Sequence, residues 1–191
     1  HVAFDEATAI LAGDALQALA FATLAQARAG YAARVAMLAE LAAASGAAGM
    51  CGGQALDLAA TGTRIPLAAL ERLHAMKTGA LLRAAVRLGA IAAGAGESAR
   101  RALDAYAEAL GLAFQIRDDL LDIEGDSATL GKTAGKDVAQ DKATFPALIG
   151  ADASRARLRA LAAGMDEALR TVPGDTSALA ALARLAIERD R

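Results

Sequence analysis

The chain has 191 residues, of which 55% are hydrophobic and 3% aromatic, so Ala and Leu carry the apolar mass and strand-favouring residues are scarce. A formal net charge of −2 gives no broad basic field, which excludes nucleic acid as an expected partner. Cys51 is the one cysteine beside two histidines, so an internal disulfide and a Cys/His zinc site are both excluded, and a reducing cytoplasm suits that usage. The length fits one all-α domain with a sizeable core.

From Asp5 to Arg28, residues Ile10, Leu11, Leu16, Leu19, Phe21 and Leu24 recur at helical spacing around Asp14 and Gln17, which predicts a long helix. A second helix is expected over about Ala32–Ala44 before Ser45-Gly46, and a third over about Met50–Ala60 before Thr61-Gly62-Thr63. Pro66 reads as a first-turn proline opening a Leu-rich helix, which bends at Gly79 and ends near Gly94-Ala95-Gly96. Ser98 is the expected cap of a helix over about Ala99–Glu124, and the polar stretch 125–141 reads as a loop of functional length. Two more helices are expected, about Ser154–Arg170 and Ser177–Arg189, separated by Pro173-Gly174-Asp175. Gln17, Gln26, Arg28, Arg83 and Arg87 interrupt the apolar runs, so no membrane span is expected. The first residue is His1, and Asp5 and Glu6 stand where a signal peptide would be basic, so the native start is expected elsewhere.

Gln115, Asp118, Asp119 and Asp122 follow i, i+3, i+4, i+7 spacing and fall within about 100° of one helix circumference. Their neighbours Leu112, Phe114, Ile116, Leu120, Leu121 and Ile123 are apolar, so the stripe is expected to look into a polar cavity. Three carboxylates near a helix C-terminus repel one another and oppose its partial negative charge, at a few tenths to about 1 kcal/mol each. A hard divalent cation would compensate them, and magnesium characteristically shares such carboxylates with waters and substrate phosphates. The Asp-Asp-x-x-Asp string alone reads equally well as an exposed acidic patch. Lys77-Thr78, Lys132 and Lys142 tilt the balance, because together with the stripe they compose a phosphate cage, although each lysine alone is an ordinary solvated side chain. His74 is expected to be a packing residue and Cys51 a small core residue, neither with a functional role.

Phe114-Gln115-Ile116-Arg117-Asp118-Asp119-Leu120-Leu121-Asp122, followed by Leu130-Gly131-Lys132, resembles the second aspartate-rich motif of the trans-prenyltransferases. Gly52-Gly53-Gln54-Ala55-Leu56-Asp57-Leu58, Lys77-Thr78-Gly79, and Asp5-Glu6-Ala7-Thr8 through Gly13-Asp14-Ala15-Leu16 are similar to that family in the same order. Among its members the bacterial farnesyl diphosphate synthases are most alike, through Ala48-Gly49-Met50-Cys51-Gly52-Gly53-Gln54. The resemblance implies an all-α isoprenoid-synthase bundle around a central cavity, with residues 1–191 the C-terminal portion of one such domain. It implies magnesium held by Asp118, Asp119 and Asp122, and an allylic diphosphate contacted by Lys77, Thr78, Gln115, Lys132 and Lys142. Lys77, Asp118 and Lys132 would carry the catalysis, and Gln54 and Asp57 would support that site, while Gly52 and Gly53 permit close packing.

The implied reaction joins isopentenyl diphosphate to the allylic diphosphate, in a homodimer. One departure stands out: the family's first aspartate-rich motif and the Arg pair after it are not in this chain, whose His1-Val2-Ala3-Phe4-Asp5-Glu6-Ala7 looks like the tail of the segment that follows them. This piece alone is therefore expected to be inactive. A geranyl or geranylgeranyl diphosphate synthase, a terpene synthase of the same fold and a non-catalytic regulatory subunit are the competing readings. The four Phe, two Tyr and absent Trp argue against the aromatic-lined pocket a terpene synthase wants.

Overall fold

The structure is a computed structural model, and it describes residues 1–124 and 143–189. Lys132 and Lys142 lie outside the described residues, as does the expected loop. The described elements are helical: α1 Glu6–Ala25, α2 Tyr31–Ser45, α3 Met50–Ala60, α4 Leu67–His74, a π-helical turn Ala75–Gly79, α5 Ala80–Ala92, α6 Glu97–Glu124, α7 Phe145–Ile149, α8 Ala151–Arg170 and α9 Ser177–Glu188.

Local chemistry explains most of the boundaries. Asp5 caps α1, accepting the Thr8 N–H at 2.7 Å and the Thr8 hydroxyl at 2.8 Å, and so satisfies one of the orphan donors of the first turn. Pro66 has extended backbone and stands as the N-cap of α4 instead of inside its first turn, where its missing N–H costs nothing. Helix α6 begins at Glu97, so Ser98 lies within the helix and is not its cap. The five-residue α7, with Thr144 as its cap, was not expected from the sequence.

Helix α6 is the axis of the bundle. Its 28 residues bury Leu103, Tyr106, Ala107, Leu110, Ala113, Ile116 and Leu120 at helical spacing, packed with Leu158, Met165 and Leu169 of α8 and Ala183 and Ala186 of α9. Tyr106 is fully buried, and its hydroxyl donates to the Leu179 carbonyl at 2.8 Å, which keeps the polar end of the ring satisfied within the core. On the other flank Arg87 of α5 donates to Asp104 of α6 at 2.5 and 3.0 Å and to Glu40 of α2 at 3.1 and 3.2 Å. The Asp104 hydrogen bonds and Glu40 hold its guanidinium even more firmly protonated than usual.

Helix α1 forms where expected. It has no buried residue and exposes Ile10, Leu11, Leu16 and Leu19. It and the stretch Tyr31–Ala60 are, by length and composition alone, long and apolar enough to cross a membrane. Of the interrupting residues, Gln17 lies inside α1 while Gln26 and Arg28 lie beyond it, and within the helix only Glu6 and Asp14 are charged. Cys51 departs from expectation, because it is exposed. The inward direction of α3 runs instead through Gly53, which is buried.

Two glycines grip the π-helical turn. A Cβ on Gly53 would collide with the Lys77 backbone, 2.5 Å from its Cα, and one on Gly111 of α6 would lie 2.9 Å from the Cα of Gly79. Both obstacles are backbone and cannot rotate away. Gly53→Ala is expected to lower stability by about 1–3 kcal/mol, measured as a shift in the urea midpoint of the intact protein with an unchanged m-value.

Candidate active site

The π-helical turn puts Lys77 and Thr78 where α3 comes nearest. Lys77 Nζ donates to Asp57 Oδ2 at 2.5 Å, so the ammonium is oriented by a carboxylate from a different helix. Gln54, one turn before Asp57, is exposed, and Thr78 is half-buried. A π-helical turn sets one extra residue into the helix and is often found where a side chain must be aimed. Where the sequence suggests a bend at Gly79, the structure has a π-helical turn that ends at that residue.

The stripe on α6 separates into unlike members. Asp119 is 2% exposed; its Oδ2 accepts the Phe145 N–H at 2.9 Å and its Oδ1 accepts from Gln115 Nε2 at 2.9 Å. The expected metal ligand Asp119 and the expected substrate contact Gln115 are thus joined to each other and to the start of α7. Spacing places residues on a face but does not give their depth, and Asp119 sits on the inner edge. Asp122 is 7% exposed. Asp118 is the outermost, one-third exposed, and takes a 2.7 Å ion pair from Arg189. That arginine, the residue after α9, was missed by the sequence reading because no local pattern points back to α6.

Among the described residues no group of three His, Cys, Asp or Glu side chains converges on a point that could hold a metal. Asp118 and Asp122, one turn apart at the mouth of an apolar helix, suit a magnesium ion that takes its remaining ligands from water and phosphate. An open groove of about 400 Å³ lies beside the π-helical turn, lined by Ala48, Met76, Gly79, Arg83 and Leu112. None of the expected site residues lines it.

His74 links the two halves. It closes α4 immediately before the π-helical turn, is 7% exposed, and stacks on Phe145 with ring centroids 5.9 Å apart and planes at 27°. Phe145 in turn is anchored by Asp119. A path of direct contacts therefore runs from the stripe through Phe145 and His74 into the turn that carries Lys77. Neither His74 nitrogen has a hydrogen-bond partner. Burial lowers the imidazole pKa to about 4, opposed by the charge of Asp57 and aided by that of Lys77. The expected packing role fits this position.

The sequence model described as Polyprenyl synthetase matches residues 1–173, and the chain belongs to that family. It is 54% identical over 198 aligned residues to the farnesyl diphosphate synthase of Escherichia coli K12, covering 100% of this chain and 66% of that protein. Among solved structures it superimposes on an FPP/GFPP synthase from Zymomonas mobilis with a TM-score of 0.84 and 39% identity, covering 96% of this chain and 62% of that one. It also matches the Helicobacter pylori geranyltransferase solved with magnesium and isoprenyl diphosphate, with a TM-score of 0.83 and 31% identity over 98% of this chain and 62% of that one. The chain thus spans just under two thirds of the length of these relatives, and its helical bundle is the fold they share.

The His74 environment sets a pH dependence whose sign follows from linkage. The ordinary pKa is 6.5 and the folded value about 4, so between these pH values the unfolded chain takes up a proton that the folded one refuses. The contribution is present in full above 6.5, declines as the pH falls towards 4, and is constant below that. His74→Phe, which can keep the ring stack, is expected to remove a loss on the order of 3 kcal/mol across that window. Urea titrations of both proteins at pH 7.5 and about 4.5 measure the difference.

Proposed function

We propose that this chain is the part of a farnesyl diphosphate synthase that receives the allylic diphosphate and its magnesium. The observation that carries the proposal is the end of α6, where Asp118 and Asp122 stand one turn apart, together with Lys77 on a π-helical turn that is coupled to α6 through His74, Phe145 and Asp119. The likeness to the Escherichia coli farnesyl diphosphate synthase and to the Helicobacter pylori geranyltransferase solved with magnesium and isoprenyl diphosphate supports the substrate class and the metal.

In this reading the bond between the allylic carbon and the diphosphate oxygen breaks, and its electron pair leaves with the diphosphate. The double bond of isopentenyl diphosphate then forms the new carbon–carbon bond, and a proton departs to restore an alkene. Bound magnesium would supply positive charge at the departing oxygens. Lys77 donates to those oxygens as their charge grows, in exchange for its bond to Asp57, which keeps it aimed when substrate is absent. Thr78 adds a hydroxyl donor beside it, and Gln54 supports the same side from α3. Lys132 and Lys142 are proposed as further diphosphate donors. Asp119 and Gln115 act through structure: they fix the start of α7, and with it the Phe145 ring. Preorganised donors at a leaving group are each worth about 10²–10³ in rate.

Lys77→Ala and Asp118→Asn in the intact protein should therefore each lower prenyl transfer by about 10²–10³-fold, with farnesyl diphosphate as the wild-type product by mass spectrometry. Substitutions that leave the rate unchanged, or a wild type that binds no pyrophosphate in the presence of Mg2+, would refute the reading.

The exposed apolar surface of α1 supports a homodimer. A largely exposed helix that shows Ile10, Leu11, Leu16 and Leu19 to its surroundings needs a cover, and a second copy presents the same surface in return. Leu16→Asp combined with Leu19→Asp should halve the mass measured by light scattering in solution, whereas an unchanged mass would place the interface elsewhere.

A further inference from the structure

Asp118 already carries a cation, and the chain itself provides it. Arg189 Nη2 donates to Asp118 Oδ1 at 2.7 Å and to the Phe114 carbonyl at 3.0 Å, and its guanidinium carbon lies 3.9 Å from the centre of the Phe114 ring. The main chain of Arg189 is clamped separately: its carbonyl accepts from Arg117 Nε at 3.0 Å and Nη2 at 2.8 Å. The Arg189 Nε is buried without a hydrogen-bond partner, so the guanidinium is incompletely satisfied where it rests.

These contacts divide Arg189 into a fixed backbone and a side chain with two kinds of partner. Letting go of Asp118 costs one charge-assisted bond. The stacking on Phe114 and the bond to its carbonyl can persist, so the displaced guanidinium has a seat and need not be driven into solvent. A divalent ion reaching the same carboxylate oxygen meets a positive charge within hydrogen-bond distance of it and must displace that charge first.

We propose that Arg189 is the resting counter-ion of Asp118 and competes with Mg2+ for it, which disfavours binding of the bare metal and leaves the site to metal that arrives with a diphosphate. The proposal rests on the reading of Asp118 as a metal ligand. A diphosphate brings its own oxygen ligands to the metal and its own negative charge to the site, so the lost Arg189–Asp118 pair is more than compensated. Bare Mg2+ has no such compensation. Arg189 is thus a positioning residue that sets the order of assembly.

The test is calorimetric titration of the intact protein with MgCl2 alone, then with inorganic pyrophosphate at saturating MgCl2, for wild type, Arg189→Gln, Arg189→Lys and Asp118→Asn. Arg189→Gln should bind Mg2+ alone about 5-fold more tightly, the size of one partly exposed ion pair, while Arg189→Lys restores the wild-type affinity within about 2-fold because it keeps the charge. If Arg189→Gln lowers the melting temperature, Arg189→Met, which keeps an apolar stem over Phe114, is titrated in its place and should show the same gain. An unchanged or weaker Mg2+ affinity in the charge-removing variant, with Asp118→Asn abolishing Mg2+-dependent pyrophosphate binding, overturns the competition and leaves the proposed function standing. A wild type that binds neither Mg2+ nor pyrophosphate overturns both.

Discussion

The organising constraint is the need to neutralise negative charge at the C-terminal end of α6. Asp118, Asp119 and Asp122 follow one another within two turns of a helix whose other faces form the core, and the helix dipole adds to their repulsion. The described contacts answer Asp118 and Asp119 individually, and Asp57 on α3 in the same manner. Asp119 is satisfied by a backbone N–H and a side-chain amide, Asp118 by a guanidinium, and Asp57 on α3 by the Lys77 ammonium. Each solution ties a separate element to the site: α7 through Phe145, the residue after α9 through Arg189, and α3 through Asp57.

That arrangement makes the site a meeting point of packing as much as of charge. Gly53 and Gly111 let α3 and α6 close on the π-helical turn from two sides, and the turn's position then sets where Lys77 can reach. The His74–Phe145 stack transmits the placement of α7 to the same turn. A buried imidazole with no hydrogen-bond partner is a costly spacer, but a charged one would cost more, and the low pKa of about 4 keeps it neutral. Its flat ring spans the gap between turn and α7.

Much of this was legible from the amino acids. The helix Met50–Ala60 has the expected ends, because glycine on one side and Thr61-Gly62-Thr63 on the other are local signals. The α6 stripe was legible as a face for the same reason. Its depth was not: whether Asp119 or Asp118 lies inward depends on α7, a helix of five residues, too short to show any periodicity. The expectation for Cys51 failed similarly, since an apolar helix hides its inward face when small residues do the packing. Arg189 meets Asp118 across 71 positions, and nothing in the spacing of charged residues encodes such a contact.

In the proposed reading Asp118 and Asp122 are the metal-facing donors, and two carboxylates are too few to hold a magnesium ion firmly and enough to hold one shared with phosphate. Metal and diphosphate must then bind as a linked pair, each raising the other's affinity by the same factor. On the proposal, Arg189 would sharpen that linkage by penalising the half-assembled state, so that the positive charge would come into place together with the leaving group that uses it.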